Sequence, residues 1–150
     1  MSPQIIKFLI TATLLLHGLA HGTAFFALLT FASQNGKGAK LPFSSWLFPS
    51  LKPRTGAYIA SVFWLLSAVG FILASLSFWG TFLPDEVWRS LALVSAVIST
   101  VGIILFKGTW PGAPTLKISI LDTVIALVIN LAVFVCLLWL HWPPYAMFGK

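Results

Sequence analysis

Apolar residues run in four long blocks along the chain, and polar residues gather between them. The blocks cover residues 5–31, 57–79, 88–106 and 118–140. A helix needs about 20 residues to cross the hydrocarbon core of a bilayer, and every block is near that length or longer. Only helices suit such blocks. Four spans close no barrel, and open strand edges cannot face lipid. The pattern predicts an all-α integral membrane protein: four transmembrane helices in an antiparallel bundle, forming one domain over residues 1–150. The first block exceeds the apolar core of a secretory signal, and TFAS at its end is a poor cleavage site, so it is expected to stay as a helix.

The connections differ in chemistry. Residues 32–55 form the longest and hold Lys37, Lys40, Lys52 and Arg54. Within it, LPFSSWLFPSL at 41–51 is apolar but too short to span, and prolines bracket its aromatic residues. It reads as an interfacial or re-entrant segment, or as a loop folded over the bundle end. Residues 80–87 make a tight acidic turn with Asp85 and Glu86, and 107–117 carry Lys107, Lys117 and the turn formers of KGTWPGAPT. After Leu140 the tail reads HWPPYAMFGK, where two prolines stop the helix.

Composition sharpens the class. The chain is 59% hydrophobic and 8% charged, against about 25% charged in soluble domains. The net charge of +6 comes with no basic run, so it points to membrane topology rather than nucleic acid. The first and third connections hold six basic residues, and the other side holds Lys7, Arg89 and Lys150. Residues 32–55 and 107–117 are therefore expected in the cytoplasm, with both termini outside, most simply in a plasma (inner) membrane. Trp79, Trp88, Trp139, Trp142 and Tyr145 then gather at the outer boundary, with Tyr58 and Trp110 at the inner one, as aromatic belts require. The single cysteine, Cys136, rules out an intrachain disulfide and reads as a small packing residue.

Small residues predict where helices meet, because backbones in lipid associate by close contact. Gly18 and Gly22 on the first helix, and Ala92, Ala96 and Thr100 on the third, are expected at interfaces. The polar inventory within the spans is short. Thr13, His17 and His21 share one face of the first helix, and Asp122 and Asn130 share one face of the fourth. From the span centres, His17 lies level with Asn130, and His21 lies about 6 Å axially from Asp122. If those helices are neighbours, His17–Asn130 and His21–Asp122 hydrogen bonds are both feasible. The same groups could instead line a cavity for a ligand or proton.

Cofactor chemistry is constrained by geometry. A bis-histidine haem needs ligands on opposite faces, whereas His17 and His21 share one. His141 lies about 18 Å axially from the bilayer centre, too far to help. One histidine could still ligate a macrocycle, and HxxxH could hold a metal ion with Asp122 as third ligand. HExxH and GxSxG are absent, and no glutamate falls within a span. The expectation is a small polytopic protein, a subunit or accessory factor of a membrane assembly, with no cofactor, meeting lipids and other subunits or copies of itself. The alternatives are a binder or carrier of a small hydrophobic or protonatable ligand lined by His17, His21, Asp122 and Asn130, and an enzyme or cofactor protein using His17 or His21.

Overall fold

A computed structural model describes residues 2–34, 45–106 and 110–148. The chain is helical, with no strand among the described residues. Among the described residues, four helices are long and apolar enough to cross a membrane. They are α1 (Pro3–Ser33), α2 (Pro53–Ser77), α3 (Trp88–Leu105) and α4 (Leu116–Phe134). Lys37, Lys40, Lys107 and Lys150, which weigh on the expected orientation, lie outside the described residues, as do residues 41–44 of the LPFSSWLFPSL segment.

Local chemistry sets the helix boundaries. Ser2 Oγ accepts from the Ile5 N–H at 3.4 Å, and Pro3 occupies the first turn, where its missing N–H has no consequence. Thr115 caps α4 in the same way through the Ile118 N–H. At the end of α2 the chain turns at Gly80, whose φ of +68° lies in the left-handed region that favours glycine. The Thr81 N–H then returns to the Leu76 carbonyl, and the Ser77 hydroxyl donates to Pro84 O at 2.6 Å. A short 3₁₀ turn, Asp85–Val87, leads directly into α3. α4 does not stop at Phe134 but widens into one π-helical turn, Val135–Trp139, before His141 and the prolines end it.

Packing follows the small residues. α1 packs on α2, α2 on α3, and α3 on α4. A β-carbon at Gly18 would sit 2.9 Å from Ile72 Cγ1 and 3.0 Å from the Ala68 carbonyl oxygen. At Gly102 it would sit 2.9 Å from Phe63 Cβ. Ala92 and Ala96 are fully buried. Gly22 departs from the expectation, since a β-carbon there would meet nothing within 4 Å. The α1–α2 interface continues past it through Ala24 and Leu28 of α1 and Ala57 and Ala60 of α2, so Gly22 lies beside the contact rather than in it.

The interior divides into two clusters. One gathers Leu28, Ala57, Trp64, Phe106 and Trp110. The other gathers Leu14, Phe71, Phe78, Trp88 and Leu137, with Phe148 of the tail packed against it. We refer to the ends of the molecule as the Trp110 end and the Trp88 end. At the Trp110 end, Ser45 Oγ donates to the Leu105 carbonyl at 2.8 Å and the Trp46 indole N–H donates to the Ile104 carbonyl. These bonds satisfy carbonyls that the last turn of α3 leaves open. Trp46, Leu47 and Phe48 themselves remain exposed.

α4 is the least covered helix. Only 17% of its most apolar stretch is buried, against 44% for α2. Ala126 and Leu137 seat it on the two clusters, and a polar group near its middle joins it to α1 and α3.

Candidate functional site

His17 and His21 stand one turn apart on α1, with ring centroids 4.6 Å from each other. Both are buried. His17 Nε2–H donates to Asn130 Oδ1 at 3.1 Å. This assigns the Nε2 tautomer to His17, given the orientation of the Asn130 amide. The Asn130 amide nitrogen donates in turn to Ser99 Oγ at 2.8 Å and to Thr100 Oγ1 at 3.1 Å. Ser99 Oγ lies 2.6 Å from His21 Nε2. A consistent chain runs from Asn130 Nδ2–H to Ser99 Oγ, and from the Ser99 hydroxyl to His21 Nε2. Three helices are thereby joined by side chains alone.

The cluster sits in an aromatic frame. The Phe71 ring stands edge-on to His17 at 4.6 Å, and Trp110 lies 5.3 Å from His21. Trp64 lies 6.1 Å from Trp110. Among the described residues, His21 Nδ1 and Trp64 Nε1 are buried and meet no hydrogen-bond partner. Low polarity around the cluster strengthens the bonds that are made and raises the cost of those that are not.

The structure brings together some of the expected residues and not others. His17, His21, Asn130 and Thr100 come together with Ser99: Asn130 bonds His17, Thr100 and Ser99, and Ser99 bonds His21. Asp122 is only half-buried, and the partner of His21 is Ser99. The reason is helix order: α3 packs on both α2 and α4, so its hydroxyls reach the α1 histidines first. Thr100 acts through its hydroxyl as well as its size. Thr13 is exposed and takes no part in the cluster. Among the described residues, His17, His21 and Asp122 included, no three His, Cys, Asp or Glu side chains converge in a metal-holding group.

Thr13 belongs instead to a feature that the sequence does not announce. Towards the Trp88 end, α1 and α4 part and leave an apolar groove of about 260 Å³. Leu9, Ile10, Thr13 and Leu14 form one wall. Val128, Ile129, Ala132, Val133, Cys136 and Leu137 form the other, with Trp88 and Ala92 of α3 behind. Trp142 and Pro143 of the tail close its mouth. The inner end is marked by Thr13 and Ile129, a turn before His17 and next to Asn130. The polar cluster therefore pins α4 at mid-length, and the groove opens where the pinning ends. One signal for it exists in the sequence: Ala132 and Cys136 are small side chains four residues apart in a helix otherwise rich in Leu, Ile and Val.

Arg89 does not line the groove but bonds Pro143, which does. Its guanidinium donates to the Pro143 carbonyl and stacks 4.0 Å over the Tyr145 ring. The Tyr145 hydroxyl donates to the Glu86 carbonyl at 3.3 Å. The tail is thus folded back across the start of α3.

Comparison with family models, with curated proteins and with solved structures found no match to the chain.

Proposed function

We propose that this is a four-helix integral membrane protein that binds a single apolar chain, such as a lipid acyl tail, in the groove between α1 and α4. The groove is the observation that carries this reading. An apolar cavity of roughly 150 Å³ is enough to hold a benzene ring, and this one is larger and has an open side. In a bilayer the molecules that reach an open apolar groove are lipids and lipid-like solutes. The reading keeps the bundle antiparallel, both termini outside, and residues 32–55 and 107–117 in the cytoplasm. The groove then lies in the outer leaflet.

The polar cluster has a supporting role in this account. Its histidines are engaged with Asn130 and Ser99, and it holds α4 where α1 and α4 would otherwise separate along their whole length. A subunit role draws less from the geometry. Gly18, Gly102, Ala92 and Ala96 are used up inside the bundle. The exposed face of α4 carries Leu121, Val124, Leu131 and Leu138, large side chains suited to lipid rather than to a close partner helix.

Native mass spectrometry of protein released from membranes tests the binding. Wild type should retain one lipid per chain. Ala132→Trp fills the groove and should lower retention about tenfold or more. Leu131→Trp, one residue away on the exposed face, should leave it unchanged. Equal retention in all three would refute the reading. Orientation is checked separately by cysteine labelling from each side: a residue in 45–51 that labels only from outside would reverse the assignment.

A further inference from the structure

The groove's occupant has a second end, and the residues at the mouth say what chemistry that end carries. We infer that the ligand is a phospholipid whose phosphate sits against Arg89 while one acyl chain fills the α1–α4 groove. The inference rests on the groove reading above.

Arg89 follows Trp88, which lines the groove, and bonds the carbonyl of Pro143, which lines it too. The guanidinium is therefore held against a residue that lines the apolar channel. The contacts that fix it are a neutral carbonyl and the rings of Tyr145 and Trp88, at 4.0 and 5.7 Å. None of these supplies a counter-charge. A planar guanidinium stacked on an aromatic ring has little freedom left to lose, and its fork of donors matches phosphate oxygens. Chain in the groove and phosphate at the rim is the arrangement that an amphiphile of this class adopts across the boundary of a bilayer.

The rim is not uniformly basic. Glu86, in the preceding turn, is exposed. A headgroup with an ammonium beside its phosphate suits that balance, so phosphatidylethanolamine is the natural probe.

The experiment titrates detergent-solubilised full-length protein with phosphatidylethanolamine, and with diacylglycerol of the same chains, which lacks the phosphate. Bound stoichiometry is read by native mass spectrometry. For wild type, phosphatidylethanolamine should bind about tenfold more tightly, the scale of one hydrogen-bonded charge contact. Arg89→Gln should erase that difference and leave diacylglycerol binding as it was. Arg89→Lys should keep part of it, since the charge survives and the fork does not. Equal wild-type affinity for the two lipids would overturn the phosphate site while leaving the groove reading intact. So would an Arg89→Gln variant that weakens both lipids alike, because Arg89 would then act only by holding the tail. If neither lipid binds wild type, or Ala132→Trp binds both as well as wild type does, the groove reading itself fails.

Discussion

Gly18→Ala should destabilise the protein by about 2 kcal/mol, while Gly22→Ala, one turn along the same helix, should be neutral or stabilise it by up to about 1 kcal/mol. The contrast is the point of the pair. At Gly18 the new methyl would meet the Ala68 carbonyl oxygen at 3.0 Å and the Ile72 nitrogen at 3.2 Å. Those are backbone atoms of α2, so α1 and α2 must separate to admit the methyl. At Gly22 nothing lies within 4 Å, and only the gain from restricting the unfolded backbone remains. Unfolding titrations in mixed detergent should resolve the two signs. If both substitutions cost the same, the close contact at Gly18 is not what joins these helices.

Asn130→Ala should cost a comparable amount by a different route. It removes three hydrogen bonds, to His17, Ser99 and Thr100. Such bonds contribute about 0.6 kcal/mol on average in membranes and up to about 1.7, so the loss should total about 2 kcal/mol. His17 Nε2–H is also left buried without an acceptor. α4 is the least covered helix, so the damage should concentrate there and appear as faster hydrogen exchange in residues 116–139. A double-mutant cycle with His17→Ala isolates the pair, with a coupling of about 1 kcal/mol expected. Strict additivity would show that the His17–Asn130 contact carries no energy.

Much of the architecture is readable from the apolar blocks. Residues 88–106 correspond closely to α3, and residues 57–79 begin four positions later than α2, because Pro53 starts the helix within a polar stretch. The level of His17 with Asn130 follows from span centres and a rise of about 1.5 Å per residue, and the two side chains stand 3.1 Å apart. Lateral order is another matter. Axial depth says nothing about which helix stands beside which, so His21 could be assigned to Asp122 on level alone while α3 in fact supplies Ser99. A Gly-xxx-Gly spacing likewise identifies a surface but not which glycine is needed there, and the close contact falls at Gly18 rather than Gly22. The groove is the least legible feature. It arises where two helices fail to meet, and the sequence marks it only by Ala132 and Cys136.

The most direct test of lipid binding in that groove is photo-crosslinking in native membranes with a phospholipid that carries a diazirine on its acyl chain. Adducts should concentrate on Thr13, Ala132, Val133 and Cys136, and Ala132→Trp should remove them. Adducts that track exposure instead, with Leu121, Leu131 and Leu138 labelled as heavily as the groove, would contradict the account.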